Sequence, residues 1–248
     1  MDMSATGESG TGRRAPRGGG GGGGDVWLRP RPARRQAPPL TRDRIVAEAV
    51  AALDEEGEAR LTMRRLAERL GTGSTTLYWH VETKDDVLDL ALDAVFGEVA
   101  VPAEHSGDWR AEVGALAGEW RAALLRHPWS AAVLGRPLMG PNVLARTEYL
   151  HAALVGAGLH GPHLTAAAYG LANYVIGSAM MQAAWASRDE DEARRAADER
   201  LRAEHDRYPT LAEHGHLVGK DWDEAFTHGL RYLLDGIAAQ LASGPAHP

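Results

Sequence analysis

From Leu40 onward, apolar side chains recur with a helical period through almost the whole chain, and this constrains the fold more than any other feature. Thr41 stands at a cap position, and Ile45, Val46, Ala49, Val50 and Leu53 then fall on one face, with Gly57 as the stop. Thr62 opens a second, short helix with Leu66, Ala67 and Leu70 on its stripe. Gly71-Thr72-Gly73 is a tight turn, and Ser74 begins a third segment in which Leu77 and Val81 stand one turn apart. Taken alone, Leu77-Tyr-Trp-His-Val81 passes for a strand, and only the helices on either side argue against that. Thr83 and Asp86, three residues apart, form a capping box for a fourth helix that runs to about Val99, where Pro102 and Gly107 interrupt it.

The second half reads the same way. Trp109 to Arg126 places Val113, Leu116, Trp120 and Leu124 inward; Gly135 to Pro141 is a broken connection; a further helix covers 141–156. Residues 164–187 contain no Asp, Glu, Lys or Arg, and such a stretch is long enough to span a bilayer. It is nevertheless mostly Ala, Gly, Ser, Thr, Asn, Gln and Tyr, with only Leu164, Leu171, Val175 and Ile176 as strong inserters. A helix buried on several sides fits better, either within an ordinary core or shared between the core and a dimer interface. Gly170, Gly177 and Ala184, spaced by seven, line a stripe where another helix can approach closely. Residues 188–207 are rich in i, i+4 ion pairs and read as a solvated helix, 209–219 as loop. A last helix over 222–242 carries Phe226, Leu230, Leu233, Leu234, Ile237 and Leu241 in one broad stripe. The class is all-α.

Residues 1–39 are of another kind. The first forty residues hold the glycine run 18–24, five of the thirteen prolines, and seven arginines against three acids, a local charge of +4 in a chain of net −7. Glycine runs bury nothing, so a flexible tail is predicted. Val26-Trp27-Leu28 is too short for the apolar region of a secretory signal, and a cytoplasmic location is predicted. Arg34 and Arg35, just ahead of the first helix, are placed to act as a basic arm in a minor groove. With no cysteine there is no disulfide framework and no thiolate chemistry. The overall acidity excludes a general coat for nucleic acid but leaves room for a specific reader with a local basic surface.

Such a surface exists. Between Arg60 and Lys84 stand five basic residues and two acidic ones, and the stretch 62–81 is helix, glycine turn, short helix. Its second helix presents Ser74, Thr75, Thr76, Tyr78, Trp79 and His80, side chains that meet base edges, phosphates and sugars. A plain helical hairpin with a polar tip is the competing reading. Other constellations carry less. Glu148 and His151 have the i, i+3 spacing of carboxylate-bridged metal bundles but no second copy, and His160/His163 and His214/His216 sit in predicted loops. No metal, no cofactor and no catalytic grouping is predicted.

Leu61-Thr-Met-Arg-Arg-Leu-Ala-Glu-Arg-Leu-Gly71, with Thr76-Leu-Tyr-Trp-His-Val81 and Lys84, resembles the DNA-binding domain of the TetR family of repressors. Ala225-Phe-Thr-His-Gly-Leu230, continuing to Gln240 and Leu241, resembles the last helix of the tetracycline repressor. The resemblance implies a DNA-binding domain over 40–99 and an effector-binding and dimerisation domain over 100–248. It implies base or backbone contacts from Arg64, Ser74, Thr75, Thr76, Tyr78, Trp79 and His80, and a phosphate contact from Lys84. It also implies a homodimer built from helices 164–187 and 222–242, through Gly170, Gly177, Phe226, Leu230, Leu233, Leu234 and Ile237. Ser74 and Thr75 depart from the Gln-Pro of tetracycline repressors, so the operator is expected to differ. The family's magnesium-tetracycline histidines fall at about Ala100 and Val133, and a polar contact becomes Leu116. The expected effector site is therefore apolar and aromatic, drawn from Trp109, Leu116, Trp120, Leu134, Leu150, Asn173, Ile176 and Met180. The sequence thus predicts a ligand-responsive repressor on a double-stranded palindromic operator, with an all-α enzyme or carrier using the aromatic cavity as the alternative.

Overall fold

Threonine caps start three of the first four helices. In the computed structural model, which describes residues 39–135, 138–186, 189–215 and 221–243, the Thr41 hydroxyl accepts from Arg44 N at 3.2 Å and opens α1 (Arg42–Glu56). Gly57 ends α1 at φ 77°, in the left-handed region that favours glycine. A 3-10 turn (Glu58–Arg60) leads to Thr62, whose hydroxyl caps α2 (Met63–Arg69). Gly71, at φ 66°, turns the chain into α3 (Ser74–Tyr78). Thr83 and Asp86 make the capping box of α4 (Lys84–Gly97), each bonding the other's backbone N–H at 3.0 Å.

The rest is α5 (Trp109–Arg126), α6 (Ser130–Val133), α7 (Pro141–Gly156), α8 (Gly161–Ala186), α9 (Glu190–Ala203), α10 (Pro209–His214) and α11 (Trp222–Ala242). Among the described residues there is no strand. From Leu40 onward the chain packs as one unit: α1 lies on α4, α4 on α7, α5 along α8, and α8 on α11. Val87, Leu88, Ala91, Leu92, Val95 and Phe96 put α4 in the middle of that core. No helix among the described residues is long and apolar enough to cross a membrane, and α8 packs on α5, α7 and α11 instead.

Two expectations change. Residues 209–214 form α10 rather than loop, because Pro209 occupies the first helical turn, where its missing N–H costs nothing. The third segment stays helical only to Tyr78, and His80 N and Val81 N then bond back to Leu77 O at 3.0 and 3.2 Å. These local backbone bonds exclude a strand, and Leu77 and Val81 are both buried. The tail, Arg34, Arg35 and His216 lie outside the described residues.

Candidate functional site

Leu66, Ala67 and Leu77 anchor α2 and α3 in the core, and this fixes what those helices present outward. Thr75, Thr76, Tyr78, Trp79 and His80 are exposed and Ser74 is half-buried. Trp79 has 84% of its surface exposed, far more than a tryptophan that serves only the fold. Arg64 is exposed and held only by its helical neighbour Glu68, Nε to Oε1 at 2.9 Å. Arg65 bonds Glu56 at 2.5 Å, and Arg69 reaches back to Glu48, Glu55 and Glu56, fastening α2 to α1. The Arg69 hydrogen bond and charge hold the Glu55 carboxyl below its ordinary range. Lys84 is half-buried, its Nζ donating to Glu58 Oε1 at 2.6 Å and Glu58 O at 3.0 Å. In this arrangement it clamps the 3-10 turn, so a phosphate contact requires exchange with Glu58.

The interior behind α4 is organised around Trp120. Trp120, Leu116 and Leu150 are buried, while Trp109, Leu134 and Ile176 are half-buried. An arginine of α7 covers this ring. The Arg146 guanidinium carbon lies 3.6 Å from the Trp120 ring centroid and 4.9 Å from that of Phe96, and the two rings are 5.9 Å apart. Asn173 and Met180, expected in the same lining, are exposed, because the α8 face that enters the core is Ala168, Leu171, Val175 and Ala179. Sequence reasoning missed Arg146 and Phe96. The available signal was an arginine at i+3 from Val143 and i−4 from Leu150, on an otherwise apolar stripe of α7.

The residues expected at a dimer interface divide between the subunit's own core and the surface of α8 and α11. Phe226, Leu230 and Leu234 are buried inside their own subunit. Phe226 stacks on Tyr174 at 5.4 Å and lies 4.6 Å from the Arg121 guanidinium, which also pairs with Asp223 at 2.7 Å. Leu230 and Leu234 border a groove of about 630 Å³ between α5 and α11. Leu233, Ile237 and Gly170 are half-buried along a second groove, of about 310 Å³, between α8 and α11, and Gly177 is half-buried further along α8. Beside them Tyr169, Met180, Met181 and Tyr232 are exposed, Tyr232 to 67%.

Two family models match the chain: the bacterial regulatory proteins of the tetR family over residues 45–91, and the tetracyclin repressor-like C-terminal domain over 101–241. An HTH-type transcriptional regulator of Saccharopolyspora erythraea is 47% identical over 96% of this chain and 98% of its own. The chain belongs to the TetR family. It is a transcriptional regulator rather than an enzyme. The HTH-type transcriptional repressor DrrR1 of Streptomyces coeruleorubidus is 36% identical over 86% of this chain and 82% of its own. The structure of apo ActR from Streptomyces coelicolor superposes with a TM-score of 0.76 at 32% identity, covering 84% of this chain and 99% of that one. ActR has also been solved with actinorhodin, and in that form it matches with a TM-score of 0.75 at 31% identity over 82% of this chain and 99% of that one.

In this TetR-family chain, α4 ties the helix-turn-helix to the helices behind it through polar contacts that the sequence did not reveal. Buried Asp93 of α4 accepts from Asn142 N at 3.1 Å and Val143 N at 3.0 Å, capping α7 from outside. Gly140 makes this possible, since a Cβ there would collide with the Asp93 carboxylate. Just past the same C-terminal part of α4, His127 stands between Asp54 of α1 (2.8 Å) and Glu98 (3.0 Å), and Trp129 Nε1 also donates to Asp54 at 2.7 Å. Burial acts against the Glu98 carboxylate, but Arg126 and His127 outweigh it and hold that carboxyl below its ordinary range.

Proposed function

We propose that this regulator is a repressor that binds a palindromic operator as a homodimer and leaves it when a small, largely apolar and aromatic effector binds behind α4. Residues 40–99 act on DNA and 100–248 take the effector and the second subunit. The observation that carries the DNA half is the outward display of Thr75, Thr76, Tyr78, Trp79 and His80 from a segment pinned by Leu77 and Val81. Arg64 joins them as the base-reading cation and Lys84 as the phosphate contact. The repressor assignment follows DrrR1, and the effector assignment follows ActR, which binds actinorhodin. A regulator working on DNA inside the cell is cytoplasmic.

The switch is α4. It carries Lys84 at one end, Asp93 against α7 and Phe96 beside Trp120, so it touches both the reading head and the effector region. Half-sites lie about one helical turn apart, and a shift of a few ångströms between recognition helices cannot be absorbed by the duplex. Effector and operator therefore favour different states, and each weakens the other by the same factor, typically about 5–150-fold. Footprinting the DNA that flanks the protein's own gene tests this. The expected result is two symmetric protected half-sites about one turn apart. A footprint without symmetry, or none, would contradict it.

A further inference from the structure

In the second half, two buried nitrogen donors have no acceptor among the described residues. Arg146 stands on the buried stripe of α7 with 6% of its surface exposed, and its Nε has no acceptor among the described residues. Its hydrogen bond is a weak one from Nη2 to the hydroxyl of Thr147, at 3.3 Å. The Nε1 of Trp120, the ring on which the guanidinium rests, is buried and equally without an acceptor. A guanidinium has two faces and an edge. The Trp120 ring lies against the guanidinium and the Phe96 ring lies further off on a different side, but a ring cannot replace an oxygen acceptor for the N–H groups. No carboxylate among the described residues pairs with it, although buried charges are normally paired. Burial alone lowers its pKa to about 10, so it remains a cation at neutral pH.

What this core lacks is therefore an acceptor, and an anionic one. A carboxylate fits best, because its two oxygens match the parallel N–H groups of a guanidinium edge. Leu116 and Leu150 stand one helical turn from Trp120 and Arg146 on the same faces of α5 and α7, so the surroundings of that anion are apolar. We propose that Arg146 is the anion-recognition residue of the effector site, and that the effector class is an aromatic acid whose carboxylate takes the free edge of Arg146 while its rings lie among Trp120, Leu116 and Leu150. This rests on the effector reading given above and narrows it. It also links recognition to the switch. Phe96 belongs to α4, so an anion that redirects the guanidinium alters packing on the helix that carries Lys84.

The test uses paired probes: benzoate, 2-naphthoate and anthracene-2-carboxylate, each against its neutral primary amide. Binding is measured by calorimetry on the full chain at pH 7. At least one acid is expected to bind tenfold or more tighter than its amide. Arg146→Met should reduce that preference to below twofold while raising the melting temperature of the free protein, since a buried unpaired charge is removed. Arg146→Lys should keep the preference for the acid at weaker affinity. The wild-type ratio of acid to amide decides the matter even if Arg146→Met fails to fold. Amides that bind and release operator as well as the acids overturn the anion role alone. Acids that depend on Arg146 yet leave operator affinity unchanged overturn the effector reading and leave the anion site standing. Silence from both series overturns both.

Discussion

In the proposed reading Arg64 and Lys84 make different kinds of DNA contact, and their surroundings separate them. The Arg64–Glu68 pair is exposed, and such pairs are worth about 0.5 kcal/mol, less than the roughly 1–3 kcal/mol of a good bidentate base contact. Arg64 is thus free to turn to DNA. Arg64→Ala should weaken specific binding about 5–150-fold and leave random duplex nearly unchanged, as read by fluorescence anisotropy. Lys84→Ala should weaken every sequence alike and reduce the salt slope by about one. Equal operator affinity in Arg64→Ala and wild type removes Arg64 from the reading role. A third residue governs acid stability. The His105 hydrogen bond, assisted by Ser106 and Gly107 against burial, depresses the Glu112 carboxyl to about 2. A depressed folded pKa means stability that is complete above the ordinary value of 4.5 and lost as pH falls towards 2. Urea midpoints between pH 5 and 3 should fall steeply in wild type and more gently in Glu112→Gln. The variant itself should lose about 1.5–3 kcal/mol at pH 7, from hydrogen bonds to a charged group.

At the scale of elements, α4 and α7 are joined by one carboxylate. Asp93→Ala removes the acceptor for two N–H groups at the start of α7, and a lost cap typically costs about 0.5–2 kcal/mol. Gly140→Ala should match or exceed that loss, because the new methyl displaces Asp93 from the same position. Thermal melts of both check it, and an unaltered melting temperature in Gly140→Ala would refute the close approach. These elements also mark how far the sequence could be read. Thr41, Thr62 and Thr83 announced three helix starts, because a cap is a local interaction written within four residues. The display on α3 was legible for the same reason: Leu77 and Val81 fix its orientation. Asp93 and Arg146 were not. A charged residue on an amphipathic helix reads as solvated unless its distant neighbours are known, and those neighbours lie on other helices. Phe226, Leu230 and Leu234 were recognisable as apolar, but periodicity cannot say whether the partner is α8 of the same subunit or another chain.

For the whole molecule, the account requires two copies on one symmetric site. The buried stripe of α11 serves the subunit's own core, so the second copy is expected to use the exposed side chains beside it: Tyr169, Met180, Met181 and Tyr232. Tyr232→Asp should shift sedimentation towards monomer with little loss of helicity, whereas Leu234→Asp should lower the melting temperature of the subunit itself. A well-folded wild-type monomer at micromolar concentration would remove the dimer. The central claim, that an acidic chain with a small basic head reads duplex DNA, is tested most directly by the salt dependence of binding to the footprinted duplex. The account predicts that the logarithm of the affinity falls linearly with the logarithm of salt, with a slope of several units. It further predicts that the footprinted duplex binds about 10³-fold or more tighter than a scrambled one at physiological salt. Binding that is indifferent to salt and to sequence would contradict it.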